Sequence, residues 1–344
     1  MNLQEIKQTL NSTEYSFLRD NEHLGNNIIL LGLGGSHAYG TNTDSSDLDC
    51  RGIALNSKMD ILTNQNFEQF VNEATDTTIY SFNKIVTLLS NCNPNTVEML
   101  GLKPEHYLYL SPIGQELLDN KRLFLSKRAI NSFGGYANQQ LRRLCNKSNR
   151  VVSQSEQEQH IFNTINNAMY EIKTAYADFT DEDIKLYIDK AVQEDYDTEI
   201  FMDVNLKHYP LRDYKSVWSE MQSIVKSYSK IGIRNSKAIE HGKLGKHMMH
   251  LIRLYMMCID ILEREEIITY REKEHDLLMD IRNGKYLDSN KQPTSEFYDL
   301  LNDYEKRFEY AKHYTNLPDN PNYKAINELV ASVNERVVKD EIFN

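Results

Sequence analysis

Asp47 and Asp49 have the residue type and spacing in this sequence that most directly point to chemistry. They lie in Ser46-Asp47-Leu48-Asp49-Cys50-Arg51-Gly52, where alternation predicts a strand. Two residues apart on a strand, their side chains leave one face of a sheet close to each other. Such carboxylates repel unless a cation lies between them or one of them holds a proton. Hard oxygen ligands suit Mg²⁺, which takes one or two protein carboxylates and fills its remaining positions with water and phosphate oxygens. Mn²⁺ accepts the same donors. Upstream runs Gly34-Gly35-Ser36-His37-Ala38-Tyr39-Gly40. Gly35 lets the backbone come close to a phosphate, and Ser36 adds a hydroxyl donor where a turn or helix begins. Two familiar phosphate loops fail on residue identity. A dinucleotide-binding G-x-G-x-x-G starting at Gly32 meets His37 where its third glycine belongs, and a Walker A loop finds no lysine between Glu22 and Lys58. The bland alternative is an acidic strand edge beside a glycine turn.

A second group of candidates is basic. Lys246, His250 and Arg253 stand at i, i+4 and i+7, so they share one face of a helix. Tyr136, Gln140 and Arg143 repeat that spacing. Both sets suit the β- and γ-phosphates and base of an NTP, or an RNA backbone. His250 reads equally well as a packed core histidine, and the interleaved Met248, Met249, Met256 and Met257 read as core. His37 either touches the triphosphate or caps its turn, with the turn favoured. Arg51, two residues after Asp49, is placed to pair with a carboxylate.

Elements able to position these groups follow from the pattern. The run from Asn27 to Leu31 predicts a buried strand, and Leu48, Cys50 and Ile53 to Leu55 mark a second that carries the two acids. Thr77 to Tyr80 predicts a third, followed by a helix from Ser81 to Ser90 with Phe82, Ile85, Val86 and Leu89 on one face. Beyond Leu125 a 3.6-residue period dominates, over 127–145, 155–178, 214–231, 237–264, 271–282, 295–314 and 323–341. Residues 193–213, with Asp195, Asp197, Asp203 and Pro210, read as a loop. The expected fold is α+β: a small mixed sheet over residues 1–125, then a mostly helical domain over 126–344 that completes a nucleotide and acceptor cleft.

Composition narrows the function class. The 344 residues carry 39 basic and 50 acidic side chains, a net charge of −11, which excludes a uniformly basic nucleic-acid coat. The distribution is uneven. Residues 1–120 hold 6 basic and 15 acidic side chains, residues 121–155 hold 8 basic and no acidic ones, and residues 224–253 hold 7 basic and Glu240 alone. That layout fits a metal site facing a phosphate-binding wall, as well as two solvated helix faces. Cys50, Cys92, Cys145 and Cys258 lie too far apart for a zinc ribbon or a disulfide framework, which fits a reducing compartment. With no basic segment at Met1 to Glu5 and no apolar run of membrane-spanning length, the expectation is a cytoplasmic protein.

Gly35-Ser36, ten residues, then Asp47-x-Asp49 resembles the signature of the DNA polymerase β nucleotidyltransferase superfamily. The longer string, Gly35 to Gly40 with Ser46-Asp47-x-Asp49-x-Arg51-Gly52, is similar to the RlaP-like nucleotidyltransferases associated with RNA ligases. The similarity continues through Asn93-Pro94-Asn95 with Glu98, Gly135-Tyr136-Ala137, Gln140-Leu141-x-Arg143-Leu144 and His250-Leu251-Ile252-Arg253-Leu254. This resemblance implies Mg²⁺-dependent transfer of a nucleoside monophosphate from an NTP such as ATP, with pyrophosphate leaving. Asp47 and Asp49 would hold the nucleotide metal. A third carboxylate for a second metal would come from Asp76, with Glu98 and Glu73 as alternatives. Related sequences often carry an acid where this chain has Thr78. RNA, such as tRNA or a damaged RNA end, is the acceptor the association suggests. A protein hydroxyl, a small molecule, and a nucleotide or RNA sensor without turnover stay open.

Overall fold

The computed structural model describes residues 3–44, 46–63, 67–134, 137, 184–190, 198–205, 207–208, 210–211, 218, 244–289 and 291–341. Among the described residues, seven α-helices and five strands fill the N-terminal part: α1 (Leu3–Leu10), α2 (Phe17–Asp20), β1 (Ile28–Leu33), α3 (Gly35–Tyr39), β2 (Cys50–Ala54), α4 (Lys58–Thr63), β3 (Gln69–Asn72), β4 (Thr77–Ser81), α5 (Phe82–Ser90), α6 (Pro94–Val97), β5 (Tyr107–Leu110) and α7 (Pro112–Asp119). The hairpin strands β6 (Ile184–Lys190) and β7 (Thr198–Val204) follow. The helices α8 (Leu244–Arg264), α9 (His275–Arg282), α10 (Ser295–Tyr314) and α11 (Tyr323–Val338) come after them. The fold is α+β as expected, a mixed five-stranded sheet with a helical C-terminal part.

Strand order is β3-β4-β2-β1-β5. β1 is buried along its whole length, as an apolar strand with neighbours on both sides must be. It pairs antiparallel with β2 and β5, while β2 and β4 run parallel. The β1–β2 ladder ends at Leu33↔Cys50 and the β2–β4 ladder begins at Cys50↔Thr77. Asp47 and Asp49 therefore stand just before β2 rather than within it, because no ladder partner remains for them. The alternation still holds there, with Leu48 buried between the exposed Asp47 and the half-buried Asp49. The core beneath is built from Ile6, Leu18, Ile28, Leu31, Leu33, Leu48 and Ile79. Ser81 caps α5 by accepting from the Lys84 backbone N–H, and Phe82, Ile85 and Leu89 bury its inner face.

Compactness groups residues 1–141, 246–286 and 294–344 in one unit, and residues 142–245 with 287–293 in another. The division at residue 125 follows a change of periodicity; this grouping follows packing. It places α9, α10, α11 and most of α8 with the sheet. Residues 251–262 of α8 are all buried, as in a helix that is apolar on nearly every side. Met248, Met249, Met256 and Met257 are core residues. Among the described residues no helix is long and apolar enough to cross a membrane. One expectation needs correction: β7 lies inside the segment read as a loop, paired with β6 from Ile184↔Val204 to Lys190↔Thr198. The helices expected over 155–178 and 214–231 lie outside the described residues.

Candidate active site

The last ladder rungs decide which acid meets Asp49. Parallel pairing of Cys50 with Thr77 puts the preceding residues, Asp49 and Asp76, side by side at one end of the sheet. Their side chains are hydrogen-bonded. Asp49 is pushed up to about 6, first by burial and then by Asp76, whereas Asp76 is held below the usual carboxylate range by the hydrogen bond from Asp49. Of the pair, Asp49 is therefore the first to take up a proton as pH falls. Asp76 has a φ of 42°, a left-handed conformation that aspartate tolerates better than most residues. Strained backbone of this kind concentrates at functional sites.

Arg51 secures the pair. Its Nη2 donates to Asp76 Oδ1 at 3.1 Å and its Nη1 to the carbonyls of Asp76 and, at 3.0 Å, Cys50. The carboxylate pairing anticipated for Arg51 is therefore with Asp76, which leaves 62% of its side chain open to solvent. Opposite, the glycine turn fits the acid. Gly34 N–H donates to the Asp49 carbonyl at 2.8 Å, and Gly35 has a φ of +50°. A Cβ at Gly35 would lie 1.5 Å from Asp49 Oδ2, so only glycine leaves room for that carboxylate. Ser36 follows, half-buried in the short helix α3. Lys246, exposed on α8, lies close enough for its charge to act on both Asp49 and Asp76.

The other candidates are not part of the Asp49–Asp76 pair. Asp47 is exposed two residues before Asp49, and Glu73 is exposed in the turn before β4. Glu98 does not join the acids: its side chain is 12% exposed, burial pushes it up to about 8, and it faces Arg253. His37 is 6% exposed, with burial lowering its pKa and its carbonyl accepting from Gly40 N–H, so it belongs to the turn. His250 is half-buried and hydrogen-bonded to Arg253, which is itself only 4% exposed. Of Lys246, His250 and Arg253, Lys246 is the exposed one whose charge acts on the carboxylates. Tyr136, Gln140 and Arg143 lie outside the described residues. Sequence reasoning missed Arg282 on α9, which donates to the Thr41 carbonyl at 2.7 Å and to Ser46 Oγ at 3.3 Å, tying down the loop before Asp47. No spacing rule links residue 282 to residue 46. A polar cavity of about 380 Å³, lined in part by Asn56, Asp60, Asn83 and Asn334, opens at the other end of β2 and β4, away from the acids.

The donor set suits a hard divalent cation. Asp49 and Asp76 are adjacent oxygen donors, burial and the neighbouring Asp76 both disfavour an ionised Asp49, and a cation could neutralise the two together. Among the described residues no three acids, histidines or cysteines are already gathered around one point.

No curated protein and no solved structure matches the chain. A model of the RlaP family, described as an RNA repair pathway DNA polymerase beta family, matches residues 3–177, a span that includes Gly35, Ser36, Asp47, Asp49 and Asp76. The matched span is just over half of the 344 residues, and the chain belongs to the RlaP family of polymerase β-like nucleotidyltransferases of RNA repair.

Proposed function

We propose that the chain transfers a nucleoside monophosphate from an NTP such as ATP to a hydroxyl of an RNA end, releasing pyrophosphate. The observation that carries this reading is the meeting of Asp49 and Asp76 beside the Gly35–Ser36 turn, with Lys246 facing both acids. In the balanced step the acceptor oxygen bonds to the α-phosphorus as the bond from that phosphorus to the bridging oxygen breaks. Pyrophosphate leaves with the electron pair. The acceptor's proton passes to Asp76, the ionised and more open acid of the pair. Lys246 opposes the charge that builds on the leaving pyrophosphate, and the Ser36 hydroxyl donates to a phosphate oxygen. Asp49 and Asp76 would hold Mg²⁺ or Mn²⁺, with Asp47 as a further ligand. A bound ion of this kind supplies charge neutralisation at the phosphates and lowers the pKa of a coordinated hydroxyl.

The test incubates the full chain with each α-labelled NTP, Mg²⁺ and a pool of RNAs with defined ends. Label joined to RNA, lost in the Asp49→Asn variant, supports the reading. Label on protein or on a small molecule would move the acceptor, and tight ATP binding with no transfer to any acceptor would make the chain a sensor.

A further inference from the structure

Arg253 lies in the middle of α8, whose residues 251–262 are all buried. A guanidinium taken out of water is costly unless its surroundings compensate. Its partners come from three places. The guanidinium carbon lies 3.2 Å from the centre of the Tyr39 ring, a cation–π contact with the last residue of α3. Nη2 is 2.7 Å from His250 Nδ1, one turn earlier on the same helix. Nη1 is 3.8 Å from Glu98 Oε2, on the 3₁₀ turn Glu98–Gly101. None of these contacts faces solvent, yet two of the three elements carry the candidate site. α3 opens with Gly35, on which the Asp49 carboxylate rests, and α8 carries Lys246 seven residues, or two turns, before Arg253 on the same face.

The far end of α3 is held as well. Gly40 has a φ of +72°, and a Cβ there would lie 2.3 Å from the Tyr270 ring. Tyr270 in turn packs edge-on to His106 and lies under the Lys103 ammonium, 3.6 Å from its ring centre. Thr269, next to it, donates its hydroxyl to the Glu98 carbonyl at 2.6 Å. The five-residue helix α3 is too short to hold its own orientation, so these side chains set it.

We propose that Arg253 is a positioning residue for nucleotidyl transfer: through Tyr39 it fixes α3 against α8, so that the acid seated on Gly35 faces Lys246, and it does not touch the nucleotide. This rests on the transfer reading above and assigns Arg253 a role other than the phosphate contact its spacing suggests.

The test uses the full chain with Arg253→Met, Arg253→Lys, Tyr39→Leu and the Arg253→Met/Tyr39→Leu double variant. Misplaced reacting groups cost turnover rather than ground-state affinity, so Arg253→Met and Tyr39→Leu are expected to lose about 10- to 100-fold in kcat with KM for the NTP within about threefold. The double variant should be no worse than the poorer single one, because both break one contact. Arg253→Lys keeps a cation over the ring and should recover at least about threefold over Arg253→Met. A KM raised about tenfold or more with kcat retained would place the guanidinium on the phosphates and overturn the proposal. Full kcat per folded molecule with a lowered Tm would overturn it too, leaving a purely structural role. Hydrogen exchange of the unliganded protein separates this claim from the transfer reading. Residues 35–40 should exchange about tenfold faster in Arg253→Met and Tyr39→Leu while 295–338 stay unchanged. If the wild type transfers nothing, the transfer reading has failed, and exchange at 35–40 that is unchanged, or raised no more than elsewhere, overturns the positioning claim by itself.

Discussion

Replacing Gly35 with alanine tests whether the glycine turn exists to seat Asp49. The new Cβ would meet Asp49 Oδ2 at 1.5 Å and Cγ at 2.6 Å, far inside contact distance, so the carboxylate must move. Two costs follow. Holding an alanine at a φ of +50° costs about 1–2 kcal/mol. Below pH about 6, where Asp49 carries a proton, moving its carboxyl group also breaks the hydrogen bond it donates to the ionised Asp76, worth about 1.5–3 kcal/mol for a charged partner. Gly35→Ala should therefore lose about 3–5 kcal/mol, or about 10 °C in Tm for a unit of this size. In an Asp49→Ala background the nearest side-chain atom is Cβ, at 3.2 Å, and the same substitution should cost the backbone term alone. Unfolding the four proteins of this cycle in urea yields the coupling, expected at about 1.5–3 kcal/mol. Gly35→Ala should also lose transfer as completely as Asp49→Ala. Additive costs, or a Gly35→Ala protein that transfers normally, would refute the seating of Asp49 on the turn.

Other outcomes follow from the same geometry. Asp47→Asn, Asp49→Asn and Asp76→Asn should each lower transfer by about 10²-fold or more without loss of fold, measured as initial rate and Tm; full activity in Asp49→Asn or Asp76→Asn would sink the proposed site. Lys246→Ala should weaken ATP binding about 10- to 150-fold and AMP binding much less, read by titration of both nucleotides. Because Asp49 is raised in the folded protein from 3.8 to about 6, its contribution is complete below pH 3.8 and fades as pH climbs through about 6. Metal-free wild type should thus lose Tm relative to Asp49→Asn between those values, and parallel curves would contradict the raised pKa of Asp49. Glu98 has the same sign over a higher window: its neutral form is favoured by burial, so wild type should lose Tm relative to Glu98→Gln as pH climbs from 4.5 through about 8.

Much of the sheet-bearing half is legible in the residues. The Gly-Ser and Asp-x-Asp spacing, the strands at 28–33 and 50–54, the strand at 77–81 and the capped helix after it all follow from local pattern, and the family match agrees with the resemblance those residues carry. For the further acid the resemblance puts Asp76 first and leaves Glu98 and Glu73 as alternatives. Glu73, Asp76 and Glu98 are equally acidic in sequence, and only the register of two strands far apart in the chain places Asp76 beside Asp49 while Glu98 turns inward. Arg253 misleads for a related reason. Helical spacing says that it shares a face with Lys246, but spacing cannot say where that face leaves the surface and enters the core. The β6–β7 hairpin carried a usable signal: Ile184, Leu186 and Ile188 alternate with Lys185, Tyr187 and Asp189. β3 and β5 are four-residue strands with no clear alternation, and their partners rather than their composition define them.

The unit that holds the carboxylate pair is discontinuous in the chain: it breaks off at residue 141 and resumes at 246. During synthesis, the sheet and its two acids emerge from the ribosome well before Lys246, Arg253 and Arg282 exist. At bacterial and eukaryotic elongation rates, the interval from residue 141 to the end of α11 is roughly 10–40 s. For that time the surfaces that α8 will cover have no partner, and the contacts that close the unit are long-range ones whose loop must be ordered or tethered before they form. A nascent chain stalled short of α8 would carry the acids and the glycine turn but neither Lys246 nor the contact of Arg253 with Tyr39 on α3. Completion of the C-terminal helices, rather than formation of the sheet, is then the event that completes the candidate site.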